Sequence, residues 1–419
     1  MIETVRNAWK IPDLRKKLLF VLFAIVVFRF GHAIYVPFVD TAALAAAFSA
    51  QNSSNLLGYF NVLSGGGLAT ASIFALSIYP YINSSIIVQL LQVAIPALER
   101  MAKDEGEEGK KKLQRITRYG TLVLAILMAT GYYIMIRSMG VLTRSDVWAA
   151  IVIITTFVAG AMFVVWLGDQ ITEKGIGNGI SVILLAGIVS QGYGALMKVI
   201  SMPWWAAIIV LIVCVFIIAF IIYITEGERR IPVQYAKRVV GRKMYGGQST
   251  HIPMKLLSVG VLPLIFAYSF MAFPGTILAM FGTNSGAYQW WTANMHQASP
   301  WYMIICALLI IAFSYFYTSI TFNPQDIAKN IQQQGGHIPG IRTGSKTVEF
   351  LSRTSNRLTL FAALFLAILS TVPSVLSVWQ NVSIPFGASS ILIAVSVAIE
   401  TVRQVESQLV MRNYKGFLG

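Results

Sequence analysis

Ten predominantly apolar runs, each close to the ~20 residues that cross a bilayer as a helix, constrain this sequence more than any other feature. They read as spans at 18–37, 71–95, 116–137, 148–168, 180–197, 204–225, 256–273, 301–320, 358–377 and 386–405. The fifth is short, and "SQGYG" (190–194) interrupts its end. The basic stretch up to Lys17 opens an apolar run too long for a cleaved signal peptide, so it reads as a retained first span. With 56% hydrophobic and 12% charged residues, against about a quarter charged in soluble chains, disorder is excluded. A soluble enzyme is all but excluded. The expected class is an all-α polytopic membrane protein.

Charge placement supports the count. Of 32 Lys and Arg, 28 fall on one side of the proposed spans. The other side holds Arg137, Arg144 and Lys198, and Arg29 lies inside span 1. Positive charge is retained in the cytoplasm, so both termini are expected there, and the net charge of +15 has a topological cause. An even count permits two halves of five spans. Since five is odd, the second half inserts inverted relative to the first, a plan of pores and transporters. The hinge falls near 198–203, dividing the chain into 1–200 and 201–419.

Two loops on the basic side exceed simple connectors. Residues 226–255 carry seven basic residues against Glu226 and Glu228, and residues 321–357 carry five against Asp326 and Glu349. Their Pro and Gly content suggests ordered turns. Two readings stand: solvated loops that only set topology, or docking surfaces for a large acidic partner.

Several chemical motifs fail. "GSKT" (344–347) is no phosphate-binding loop, because Lys346 does not follow a glycine. "GIGNG" (175–179) lacks dinucleotide spacing and reads as a turn opening span 5. Cys214 and Cys306 form no metal motif, the four histidines are scattered, and no cofactor is expected. No Asp or Glu lies well inside a span, Glu400 being placed in the last turn of span 10. This argues against ion-coupled transport, which usually places carboxylates near the midplane. No nucleophile–base constellation supports an intramembrane enzyme. Arg29, with His32 nearby, is the ionisable feature of the spans. A functional role, snorkelling to one face, and pairing with backbone carbonyls all remain open.

Residues 59–70 carry three consecutive glycines between apolar flanks. Each weakens a helix by about 1 kcal/mol relative to Ala. A short half-inserted element is one reading, sustainable at membrane depth only inside protein or a water cavity; an ordinary outer loop is the other. Span 2 contains Pro80, expected to kink it, with Asn83, Ser84, Ser85, Gln89 and Gln92. Ile78 and Ile82, and likewise Ile180 and Leu184, share a face at i, i+4.

The stretches "SGGGLATASIFALSIYPYINSSIIVQLL" (64–91), "RYGTLVLAI" (118–126), "LGDQITEKGIGNGIS" (167–181), "YAKR" (235–238), "GGQSTHIPMK" (246–255), "FNPQDIAKNIQQQGGHIPGIRTG" (322–344) and "ESQLVMRNYKGFL" (406–418) together resemble the SecY family, the channel subunits of the bacterial Sec protein translocase. The resemblance runs in order over essentially the whole chain. It implies ten helices in two inverted five-helix halves forming a clam shell, in the bacterial cytoplasmic membrane. It implies a channel for unfolded secretory polypeptides that also releases transmembrane segments into lipid. By motif position, Ile78, Ile82, Ile180, Leu184, Ile265 and Ile393 would form a pore ring. Tyr59, Phe60, Asn61, Val62, Leu63, Ser64, Gly65, Gly66 and Gly67 would form a plug. A lateral gate between spans 2–3 and 7–8 would involve Ser84, Ser85, Gln89 and Leu257, the last standing where the family commonly has asparagine. Arg229, Arg230, Lys237, Arg238, Arg242, Lys243 and Arg342 would dock the SecA ATPase or the ribosome. SecE and SecG subunits, signal sequences and membrane lipid are the other implied partners.

Overall fold

The computed structural model describes residues 6, 9–50, 61, 64–103, 105–201, 203–235, 238–240, 243–245, 249–257, 260–280, 285–296, 299–380 and 388–415. Helices dominate. In order they are α1 (Pro12–His32), α2 (Thr41–Ala50), α3 (Tyr79–Ala94), α4 (Pro96–Lys103), α5 (Gly106–Ser138), α6 (Val147–Lys174), α7 (Gly179–Ser190), α8 (Gly192–Ile200) and α9 (Trp204–Glu226). After strands β1 (Glu228–Tyr235), β2 (Arg238–Val240), β3 (Lys243–Tyr245) and β4 (Ser249–Lys255) come α10 (Leu262–Met280), α11 (Gly286–Asn294), α12 (Pro300–Thr321) and α13 (Pro324–Gln333). The two-residue β5 (Gly336–His337), α14 (Ser345–Gln380) and α15 (Ala388–Lys415) complete the chain. Among the described residues, α5, α6, α12 and α14 are each long and apolar enough to cross a membrane, and the bent pair α3–α4 adds a fifth candidate.

Several boundaries differ from the hydropathy reading. The span expected at 71–95 is helical only from Tyr79, and residues 64–78 are a chain of turns. Ala71 and Ser77 take positive φ (45° and 46°), which no continuous helix accommodates. Pro80 therefore sits in the first turn of α3, where its missing N–H breaks no helical bond, and does not kink a longer span. The sharp bend, 108°, comes where α3 meets α4. There Ile95, restricted by the following Pro96, is extended. The expected spans 18–37, 256–273 and 358–377 become α1, α10 and the much longer α14. Span 5 divides at Gln191 into α7 and α8, where "SQGYG" lies. Glu400, expected at a helix end, lies midway along α15 because that helix continues to Lys415.

The helices pack as a bundle with two recognisable ends. At one end Leu14, Ile176 and Val405 form a small buried cluster, and Arg403 of α15 pairs with Glu226 at the end of α9 (2.8 Å). At the other, residues 33–40, 64–78 and 139–146 come together through the Tyr35–Ser72 and Val39–Leu142 bridges. The loops 226–255 and 321–357, expected as separate turn-rich excursions, share one antiparallel sheet of order β4-β1-β5. β1 pairs with β4 from Glu228↔Lys255 to Gln234↔Ser249, and with β5 at Gln234↔His337. Ile231 and Val233 alternate inward from β1 and meet Ala328 and Ile331 of α13, Ile338, and Leu351 of α14. This gives the loops a core of their own, attached to α12 and α14.

Candidate functional site

Two adjoining features make the site. The first is aliphatic. Ile78, Ile82, Leu184, Ile265 and Ile393 are all buried in one large cluster, and Ile180 packs against it from a partly exposed position. These residues come from α3, α7, α10 and α15, each aimed by local chemistry. Ile82 N–H donates to the Ile78 carbonyl at 3.0 Å, so Ile78 stands at the N-cap of α3 and Ile82 one turn on. Asn178 caps α7, its side-chain oxygen accepting from Ile180 N–H at 3.1 Å. This fixes where the Ile180–Leu184 face begins. Ile265 lies in the first turn of α10, its N–H bonded to the Val261 carbonyl (3.2 Å).

The second feature is the turn segment 64–78, seated between helices. Gly31 of α1 and Gly160 of α6 make room for it. A Cβ at Gly160 would lie 1.8 Å from the Ile73 carbonyl oxygen, and one at Gly31 would lie 1.9 Å from the Phe74 ring. Phe74 is stacked between Phe28 and Phe163, so it cannot swing aside. Gly65 and Gly66 have φ of 71° and 90°, conformations that L side chains resist. A Cβ on Gly67 would meet the His32 ring at 3.1 Å. The three glycines thus serve two backbone turns and one close approach.

Side chains hold this segment from three helices. From α1, Arg29 Nη1 donates to the Gly65 carbonyl at 3.2 Å, and His32 Nε2 meets the Ser64 carbonyl. From α5 the Tyr132 hydroxyl donates to the Leu68 carbonyl. From α7 Ser190 Oγ lies 3.4 Å from the Gly65 carbonyl. Asn61 closes the turn internally, its side-chain oxygen accepting from Ala69 N–H at 2.8 Å. The carbonyl reading of Arg29 is thus the one seen. Tyr132 and Ser190 were missed by sequence reasoning, because their partners are main-chain oxygens that no residue type marks. Of the nine residues assigned to a plug, Asn61, Ser64, Gly65, Gly66 and Gly67 lie here; Tyr59, Phe60, Val62 and Leu63 lie outside the described residues.

Asn83 and Ser84 of α3 bond to groups of α5. Ser84 Oγ donates to the Thr117 carbonyl of α5 (2.7 Å), and Gln89 bonds Ser85 one turn back on α3 (3.1 Å). Leu257, between β4 and α10, is buried in the large aliphatic cluster. At the sheet, Arg229, Arg230 and Arg342 are exposed, and Arg230 pairs with Glu228 at 2.7 Å. Arg238 and Lys243 stand on β2 and β3; Lys237 and Arg242 lie outside the described residues. Where α14 starts, the hydrogen bond from Lys346 (3.0 Å), with Arg353 beside it, holds the Glu349 carboxyl below the usual carboxylate range.

Comparison with known proteins agrees with this geometry. The family model described as SecY matches residues 72–402. The Protein translocase subunit SecY of Streptomyces galbus is 42% identical over the full length of both chains. The Pseudomonas aeruginosa protein of that name is 40% identical over 97% of this chain and 94% of its own. A solved structure described as "The structure of a protein conducting channel" superposes with TM-score 0.68 at 18% identity over 96% of each chain. Sec61 in the canine ribosome-channel complex gives 0.65 at 16% identity over 96% of each. With the family model spanning most of its length and relatives aligned end to end, the chain belongs to the SecY family.

Proposed function

We infer that this chain is a protein-conducting channel, passing unfolded secretory polypeptides across the bacterial cytoplasmic membrane and releasing transmembrane segments sideways into lipid. The observation that carries the reading is that five of the six aliphatic side chains, from four helices, are buried in one large apolar cluster with Ile180 packed against it, beside a hydrogen-bonded turn segment. A conduit for arbitrary sequences needs a waist that bonds to none of them, and aliphatic walls keep a narrow pore dry while it is idle. In this reading Ile78, Ile82, Ile180, Leu184, Ile265 and Ile393 are the waist, and the glycine segment is the plug.

Residues 1–200 and 201–419 act as two halves. Apart from the connecting turn, their principal contacts are α10 against α3 and α5, and α15 against α7. The first is the seam that parts as a lateral gate. The fused sheet lies at the cytoplasmic end, with both termini, and presents Arg229, Arg230 and Arg342 to the SecA motor or the ribosome. SecE and SecG complete the complex, and the motor's ATP supplies the work. Reconstitution with SecE, SecG, SecA and ATP should leave a secretory precursor protected from external protease. An assembled complex that protects none would overturn the reading, and gradient-driven uptake of a small solute would replace it with a transporter.

A further inference from the structure

We propose that His32 and Arg29, at the end of α1, form the latch that holds the plug shut, and that releasing their two carbonyl contacts is the step that frees it. The proposal rests on the plug assignment above and goes further by naming what keeps the plug in place.

Both residues occupy the last turn of α1, where the Arg29 charge complements the helix's exposed carbonyls. Spaced i, i+3, they share a face and reach consecutive carbonyls, Ser64 and Gly65, on the plug. The two differ in setting. His32 is buried, held edge-on between Phe28 and Phe74, with Gly67 too close for any side chain. Phe28, on the same helix, also orients it, through the ring contact and through its carbonyl 2.9 Å from His32 Nδ1. Arg29 is exposed along its length and folds back so that Nη1 meets Gly65 at 3.2 Å.

Gly65 and Gly66 have positive φ, and among the described residues no backbone N–H donates to either the Ser64 or the Gly65 carbonyl. Arg29 supplies the donor to Gly65, and His32, whose Nδ1 also meets the Phe28 carbonyl at 2.9 Å, supplies one to Ser64 in the form that carries the proton on Nε2. A buried carbonyl left without a donor is costly, so the closed position is specified by direction and not only by apolar contact. When the plug leaves, water can reach both partners. The net strength is then that of a hydrogen bond exchanged with solvent, firm enough to hold and weak enough to release.

The test uses the purified complex of the full chain with its partner subunits in planar bilayers. His32→Phe keeps a ring between Phe28 and Phe74 but removes the donor; Arg29→Met keeps length and removes the charge. We expect each to raise idle ion conductance severalfold, and the pair by about tenfold or more. His32→Gln and Arg29→Lys, which retain donors, should recover most of the closure. Ser64→Cys should react faster with an impermeant maleimide in the His32→Phe background than alone. Deleting residues 61–67 separates this proposal from the plug assignment. Raised conductance on deletion, with wild-type conductance and labelling in the latch variants, overturns the latch alone. Wild-type conductance on deletion overturns the plug as well. Should the double variant fail to assemble, the single variants with Ser190→Ala decide, and wild-type behaviour in all three sinks the proposal.

Discussion

The turn segment 64–78 and the aliphatic residues proposed as the waist are neighbours held by opposite means. The segment is fixed by directional bonds to Arg29, His32, Tyr132 and Ser190 and by glycines that admit no added atom. The waist is Ile and Leu throughout, and its side chains offer no hydrogen bond. A part with one defined closed position needs partners at particular atoms. A seal that must yield to any sequence needs contacts that are apolar and without direction. In the channel proposed above, the difference teaches that chemical specificity belongs to the plug and is kept out of the pore.

The largest effect should follow from placing hydrogen-bonding groups in the waist. Replacing Ile82 and Ile265 together with Ser would stabilise water between α3 and α10, so idle ion conductance should rise in single-channel recordings. Deleting residues 61–67 as well should raise it further. Protein export should persist, because the waist forms no specific bond to its cargo. A pure packing role predicts otherwise: a loss on the order of 2–5 kcal/mol per truncated site and unchanged conductance. That outcome would erase the distinction between the two regions.

Next is the seat of the segment. Gly160→Val adds three carbons where the first alone would lie 1.8 Å from a backbone oxygen. Overpacking of this kind costs about 1–3 kcal/mol or more. Thermal unfolding of the purified complex should show a clear loss of stability. Wild-type stability would mean that the segment can shift freely, and its directional anchoring would lose its meaning.

What the sequence disclosed follows the same division. Helices driven by long apolar runs were legible, and the expected 116–137 and 148–168 lie inside α5 and α6. The aliphatic pairs at i, i+4 were legible because periodicity alone sets a helix face. The start of α3 was not, since residues 71–78 are as apolar as a helix and only their neighbours force Ala71 and Ser77 to positive φ. The sheet was hidden too. Gln234 pairs with His337, and a two-residue strand so distant in sequence carries no periodic signal. The carbonyl contacts of α1 were half visible: Arg29 and His32 stood out as intramembrane polar groups, but their partners are carbonyls present at every residue.

A control at the far end of the molecule should touch neither region. Arg342 is exposed, and among the described residues its main-chain oxygen accepts from the Thr347 hydroxyl at 3.0 Å. Arg342→Glu should therefore leave stability and idle conductance unchanged, as exposed substitutions usually do, while SecA-driven export falls severalfold. Normal export would remove Arg342 from the docking surface. A changed idle conductance would show that sheet and pore are mechanically coupled.

The smallest effect is expected from Leu184→Ile. The side chain is buried, but the exchange keeps volume and apolar character, and such exchanges usually cost under about 1.5 kcal/mol. Branching at Cβ restricts the rotamer on α7 only slightly. If the waist works by being dry and deformable, moving one methyl should not admit ions, and both idle conductance and export should match the parent. The comparable change in the plug, a single methyl in Gly67→Ala, meets the His32 ring at 3.1 Å and should not be so silent in the same recordings. Should Leu184→Ile leak as much as Gly67→Ala, the waist would depend on exact shape just as the plug does, and non-directional contact would no longer explain how one opening serves every passing chain.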